Sequence, residues 1–143
     1  MNDAKPQIVV VPCSGIGKAF GSVAREAGYE LCDELRPHNL RLVALSKLVL
    51  GDADARERVR QCPAITIDGC KLMCAAKLVK LSGGTIAREV AVFDVYRQHK
   101  GLKPDGIAEL NAEGKQLARV MAEEIAQVVD DLVSKAPSGG SHA

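Results

Sequence analysis

Three of the five cysteines stand where their thiols could do chemistry together. Cys70 and Cys74 are four residues apart, directly after a predicted strand at residues 64–67, and Cys13 directly follows the apolar run 7–12. Thiolates are favoured ligands of zinc and other soft metal ions, and neighbouring thiols can also exchange with a disulfide. The residues therefore predict either a metal site, with zinc as the favoured ion, or a redox site.

The hydrophobic pattern predicts the elements that must position these cysteines. Short apolar segments indicate four strands, at residues 7–12, 40–45, 64–67 and 90–93. Segments with helical periodicity alternate with them, at residues 16–35, 52–62, 71–81 and 112–135. This alternation is typical of an α/β three-layer sandwich, a parallel sheet with helices on both faces. We expect one domain over residues 1–136 and a disordered tail at 137–143.

The cysteine positions also predict the order of the strands. The carboxyl ends of parallel strands share one edge of the sheet, so Cys13 and Cys70 lie on that edge. They meet only if the first and third strands are neighbours, which requires the order 2-1-3-4. Cys74 is predicted one helical turn after Cys70, on the same helix face. The site is then expected where the strand order reverses, between the first and third strands.

Zinc takes four ligands, and the three cysteines supply only three. Asp68, Asp94 at the end of the predicted fourth strand, Ser46 after the second strand, or a water molecule remain as candidates for the fourth position. Each of these three side chains is equally a candidate for hydrogen bonding to a metal ligand instead of coordinating the metal itself. An open fourth position would suit catalysis, whereas a closed one would suit a structural or sensory role.

Cys32 and Cys62 are predicted to lie away from this site. Cys32 is near the end of the first helix, and Cys62 precedes the third strand, so both belong to the opposite edge of the sheet. For each we expect a small, partly buried hydrophobic side chain without a role in the site.

A glycine-rich turn follows the first strand and offers a second kind of site. Gly15, Gly17 and Lys18 open the first helix, in the context of a dinucleotide-binding turn, although the spacing is GxGxxxG rather than GxGxxG. A nucleotide-dependent enzyme therefore stays open as an alternative. Together with Lys71, which also adds positive charge beside the cysteines, these residues are candidates for contacting a small anion.

The motifs in this chain resemble those of the DGC-domain family. The similarity rests on Asp68-Gly69-Cys70 with Cys74 behind it, and on the opening Val11-Pro12-Cys13-Ser14-Gly15. The resemblance implies a zinc site built from cysteines, and no particular reaction. Members are described with four cysteines, and Ala44-Leu45-Ser46 stands where the fourth is expected. The resemblance therefore implies three thiolates from Cys13, Cys70 and Cys74, with a different fourth ligand.

Composition argues against several partners. The formal net charge of +1 gives no electrostatic reason to bind nucleic acid or an anionic membrane. An aromatic content of 3% without tryptophan argues against a base-stacking surface. No apolar run is long enough for a membrane span, and no signal-peptide pattern begins the sequence. We therefore expect a cytoplasmic protein, where an odd number of cysteines fits metal binding, catalysis or burial better than a disulfide framework.

Overall fold

Four parallel strands form a single sheet in the order β2-β1-β3-β4. The computed structural model describes residues 7–13, 18–106 and 108–135, and the predicted tail at 137–143 lies outside these residues. The strands are β1 Ile8–Pro12, β2 Leu40–Leu42, β3 Ala64–Asp68 and β4 Ile86–Ala91. All residues of β1 and β3 are buried, as expected for central strands covered on both faces. The predicted strand order is confirmed.

Helices cover both faces of the sheet, which confirms the predicted three-layer α/β architecture. One group of helices packs together on one face: α1 Ala19–Tyr29 with its π-helical continuation Glu30–Leu35, α5 Val92–Gln98 and α6 Ala112–Lys135. The other face carries α2 Leu45–Leu50, α3 Ala53–Gln61 and α4 Cys74–Leu81. Long α6 buries Leu117, Met121 and Ile125, which recur every four residues and so share one side of the helix.

Two helices were missed in the sequence, and both change where a strand ends. The second strand was predicted to reach residue 45, but Leu45 begins α2, which buries Leu45 and Leu48 one turn apart. The fourth strand was predicted over 90–93, but Val92 begins α5 and is buried together with Val95. Valine and phenylalanine favour strands locally, and burial of the helix face against the rest of the domain overrides that preference.

A bidentate ion pair ties the π-helical segment to α6. The Arg36 guanidinium donates to both carboxylate oxygens of Asp130, from Nε and Nη2, at 2.7 Å each. This hydrogen bonding lowers the pKa of Asp130. Because a lowered carboxylate pKa contributes stability above the unfolded pKa, that contribution is lost as the pH falls through the folded pKa.

We expect Arg36→Ala and Asp130→Ala each to lower the free energy of unfolding by about 0.5–1 kcal/mol, because the pair is partly exposed. Urea denaturation of the wild type, both single variants and the double variant gives the coupling energy of the pair. The coupling should be favourable at pH 7 and vanish below the pKa of Asp130. Strictly additive single and double variants at pH 7 would contradict the structural role of the pair.

Candidate metal-binding site

The ends of β1 and β3 meet at the carboxyl edge of the sheet, as the sequence predicted. The Cys13 backbone N–H donates to the Ile67 carbonyl oxygen at 2.8 Å. The Gly69 N–H in turn donates to the Cys13 sulfur at 3.2 Å. Cys13 is therefore tied to the β3–α4 turn, residues 69–73, which carries Cys70. This contact joins positions 56 residues apart in the chain.

The helix after this turn begins later than the sequence suggested. It was predicted to start at Lys71 and to carry Cys70 and Cys74 one helical turn apart, but α4 begins at Cys74. Met73 precedes it with φ 53°, a left-handed conformation that costs a non-glycine residue about 1–2 kcal/mol. Cys70 therefore lies in the exposed turn, and only Cys74 lies on the helix. The predicted shared helix face was wrong.

Asp68 explains why α4 begins where it does. Its Oδ1 accepts from the Ala75 N–H at 2.8 Å and its Oδ2 from the Ala76 N–H at 3.2 Å. These N–H groups belong to the first turn of α4, and the N–H groups of a first turn have no hydrogen-bond acceptor within their own helix. The side chain is buried, and its hydrogen bonds make Asp68 a support for the helix that carries Cys74.

Burial and hydrogen bonding act on the Asp68 carboxyl in opposite directions. Desolvation raises its pKa, and the hydrogen bonds from Ala75 and Ala76 lower it without cancelling the effect of burial. Both oxygens already accept a backbone hydrogen bond. The supporting role that the sequence left open for Asp68 is thus favoured over direct ligation of a metal ion.

The glycine of the β3–α4 turn is required by a close approach to α1. A Cβ atom added at Gly69 would lie 2.7 Å from the Gly21 nitrogen and 2.8 Å from the Phe20 carbonyl carbon. Both are backbone atoms, so neither can turn aside as a flexible side chain would. Gly69 therefore lets the turn lie directly against the beginning of α1 while its own N–H reaches Cys13.

The pKa of Cys13 reflects its burial, one hydrogen bond and the charges around it. Burial raises the pKa of Cys13, the Gly69 hydrogen bond lowers it, and charges on Asp68, Cys70 and Cys74 raise it again. The net effect is a raised pKa, so Cys13 is a neutral thiol at neutral pH when no cation is nearby. A cation that binds beside Cys13 must displace its proton.

The three cysteines follow or begin elements at one edge of the sheet but do not form a finished metal site. Among residues 7–13, 18–106 and 108–135, no group of three Cys, His, Asp or Glu side chains has the arrangement needed to hold a metal ion. Cys13 is buried, Cys74 is partly buried and Cys70 is exposed. The three thiols have the donor chemistry of a zinc site.

The other residues proposed for the fourth position are dispersed. Asp94 lies in the first turn of α5, is exposed, and has Oδ1 4.0 Å from Nη1 of Arg97. Ser46 is exposed on α2 and borders a cavity that Cys13 also lines. The structure thus brings Ser46, rather than Asp94, to the same cavity as a predicted ligand.

The candidate anion contacts are only partly described. Lys18 precedes α1 in an extended conformation and is exposed, and Lys71 is exposed in the β3–α4 turn. Gly15 and Gly17 lie outside the described residues, and the prediction for the glycine-rich turn stays a prediction.

Cys32 and Cys62 are partly buried and pack against the hydrophobic core, as predicted for side chains without a role in the site. Cys32 lies in the π-helical segment, where burial raises its pKa to about 12. Cys62 ends α3 and precedes β3, at the opposite edge of the sheet from the β3–α4 turn.

An aromatic cluster at the start of α1 was missed in the sequence. Phe20, Phe93 and Tyr96 have ring centroids 5.5–6.3 Å apart, and they are three of only four aromatic residues. Phe20 precedes Gly21, whose backbone contacts the β3–α4 turn. Phe93 and Tyr96 are three residues apart, a spacing that places them on one face of a helix. This signal was not used because Phe93 was assigned to a strand.

The fold and the site together define a parallel α/β domain with cysteines gathered at the carboxyl edge of its central strands. The family model of the DGC domain matches residues 9–132, which is most of the chain, and the protein therefore belongs to the DGC domain family. Comparisons with curated proteins and with solved structures gave no match. None of the described helices is both long and apolar enough to cross a membrane.

Proposed function

We propose that this protein binds zinc through the thiolates of Cys13, Cys70 and Cys74, with one further ligand. The observation that carries the proposal is the hydrogen bond from the Gly69 N–H to the Cys13 sulfur. It joins the two cysteine motifs at one edge of the sheet and stabilises negative charge on a sulfur, as hydrogen bonds from outside the ligand shell do at metal centres. Zinc bound there would hold the exposed turn against the sheet.

The surroundings of Cys74 support the same proposal. Cys74 is the first residue of the eight-residue α4, where the helix dipole favours a negative charge. Asp68 fixes this end of the helix through its hydrogen bonds to Ala75 and Ala76. Lys71 adds a positive charge in the same turn. We assign the fourth position to Ser46, Asp94 or water, and we expect a cytoplasmic location, where thiols stay reduced.

The proposal predicts about one zinc ion per chain in untagged protein purified without chelators. Elemental analysis should show that Cys13→Ser, Cys70→Ser and Cys74→Ser each lose most of the zinc. Cys62→Ser is the matched control, because Cys62 is a partly buried cysteine at the opposite edge, and it should keep its zinc. A cobalt-substituted sample should show the strong absorption of thiolate ligands. Full zinc occupancy in the Cys70→Ser/Cys74→Ser double variant would refute the proposal.

Thiol redox chemistry is the competing function, and the exposure of Cys70 favours it. All five cysteines are free thiols, and an exposed thiol beside Cys74 and Cys13 is accessible to an oxidant. Counting free thiols in metal-free protein, before and after mild oxidation, separates the two functions. Formation of one intramolecular disulfide under mild oxidation, in a chain that carries no zinc as purified, would favour the redox function.

A further inference from the structure

Two exposed apolar side chains, Leu72 and Phe93, lie at the carboxyl edge of the sheet. Leu72 is 63% exposed in the β3–α4 turn, and Phe93 is 49% exposed in the first turn of α5. The two segments are adjacent because Asp68 and Ala91, the last residues of β3 and β4, are paired in the sheet, where neighbouring strands lie about 4.8 Å apart. Apolar side chains that are grouped on a surface, unlike isolated ones, mark sites of contact with another molecule.

Phe93 is held in place by its aromatic neighbours. Its ring centroid lies 6.1 Å from that of Phe20 and 6.3 Å from that of Tyr96, and the Arg97 Cζ atom lies 5.7 Å from the same centroid. The backbone of Phe20 lies against Gly69 of the β3–α4 turn, so α5 and the turn belong to one packed unit. A side chain that is already ordered loses little conformational entropy when a partner binds, which favours association.

The residues beside these two side chains carry both signs of charge. Lys71 precedes Leu72, is exposed, and has no ion pair within the described part of the chain. The Asp94 side chain follows Phe93 and is 72% exposed, and its contact with Arg97 at 4.0 Å is a solvent-screened pair of little energy. Asp94 can therefore receive a further cation. We call Cys70, Lys71, Leu72, Phe93 and Asp94 together the edge surface.

The mixed charges of the edge surface favour a second copy of this chain as its partner. In an interface with two-fold symmetry, the same surface of both chains takes part, so that residue i contacts residue j and j contacts i. A surface with one cation and one anion can then match itself, whereas an acidic or a basic partner would meet its own sign at Asp94 or at Lys71. The formal net charge of +1 also leaves little repulsion between two copies.

We propose that the edge surface is the interface of a symmetric homodimer. Leu72 and Phe93 of the two chains pack together, Lys71 of each chain pairs with Asp94 of the other, and Cys70 becomes shielded from solvent. The interface uses no metal ion, so the proposal does not rest on zinc binding. Because two exposed apolar side chains per chain form a small surface compared with the about 800 Å² per partner of stable complexes, we expect a dissociation constant between about 1 μM and 1 mM.

Sedimentation equilibrium of the full-length protein over this concentration range, at equal zinc content in every sample, should show a reversible monomer–dimer equilibrium. Leu72→Asp should raise the dissociation constant at least about tenfold, because it places a charge in the apolar part of the interface. Leu50→Asp and Leu81→Asp are the matched controls and should dimerise as the wild type does. These two leucines are 83% and 81% exposed, but they end α2 and α4 and lie outside the edge surface.

Charge reversal tests the pairing of the two chains. Lys71→Glu and Asp94→Lys should each raise the dissociation constant about fivefold or more, because each substitution makes two attractive pairs repulsive. The double variant should recover most of the loss, and an equimolar mixture of the two single variants should form a heterodimer. If Asp94→Lys fails to fold, Asp94→Asn serves instead and should relieve the loss that Lys71→Glu causes.

Alkylation of Cys70 by iodoacetamide locates the interface. The rate should fall as the concentration of the wild type rises through the dissociation constant, and it should stay constant in Leu72→Asp. A monomer at about 1 mM, a dimer that Leu72→Asp leaves unchanged, or no recovery in the double charge variant would overturn the proposal. A dimer of chains that prove free of zinc would support the interface and refute the metal proposal alone, and a zinc-loaded monomer would do the reverse.

Discussion

Replacing Gly69 with alanine is expected to lower the free energy of unfolding by about 3 kcal/mol, at the upper end of overpacking effects. The added methyl group would lie 2.7–2.8 Å from backbone atoms of Gly21 and Phe20, so either the turn or the start of α1 must move. Movement of the turn would also displace the Gly69 N–H from the Cys13 sulfur. Urea denaturation measures the loss of stability.

Gly101→Ala is the matched control for this substitution. A Cβ atom at Gly101 would meet nothing within 4 Å, so its effect should stay within about 0.5 kcal/mol. The Gly69 variant should also lose zinc if the metal proposal holds, because displacement of the turn moves Cys70 away from Cys13. Equal stability of the two glycine variants would show that the turn does not press against α1.

Replacing Asp68 with alanine should cost about 2–3 kcal/mol of stability. The variant leaves the Ala75 and Ala76 N–H groups without their acceptor in a buried setting, and unsatisfied buried donors cost about 1–3 kcal/mol. Asp52→Ala is the matched control, because Asp52 caps the exposed start of α3 through the Ala55 N–H. That loss should be nearer 1 kcal/mol. Comparable losses at the two sites would contradict the special role of burial at Asp68.

The pH dependence of Asp68→Asn provides a further readout of the same prediction. Burial raises the folded-state pKa of Asp68, so its contribution to wild-type stability is full below the unfolded pKa and is lost as pH rises through the folded pKa. Asparagine does not titrate. The stability difference between wild type and Asp68→Asn should therefore narrow from about pH 3 to pH 7. Denaturation curves at both pH values measure this difference in stability. A difference that widens would contradict the prediction that burial outweighs hydrogen bonding in setting the pKa of Asp68.

Much of the fold could be predicted because the central strands are buried on both faces. The continuous apolar run Ile8–Pro12 has no helical or alternating period, and that signal is typical of a central parallel strand. The requirement that Cys13 meet Cys70 then specified the order 2-1-3-4. This inference was possible because parallel strands all end at the same edge of the sheet. A residue that directly follows such a strand in the sequence must therefore lie at that edge.

Prediction failed where local preference and tertiary packing disagree. Val92 and Phe93 favour a strand by residue type, yet they begin α5, where Val92 and Val95 are buried one turn apart. The start of α4 was misplaced for a related reason. Periodicity alone allowed a helix from Lys71, but the carboxylate of Asp68 binds the N–H groups of Ala75 and Ala76 and thereby fixes Cys74 as the first residue.

The sequence by itself determined that Cys13 and the Asp68-Gly69-Cys70 motif share one edge of the sheet, because both directly follow buried parallel strands. Only the tertiary structure decided what each residue of the motif does. Asp68 supports α4, Gly69 lies against α1 and reaches Cys13, and Cys70 stands exposed. These roles depend on distances to Gly21 and Cys13, about 50 residues away in the chain, which no local pattern encodes.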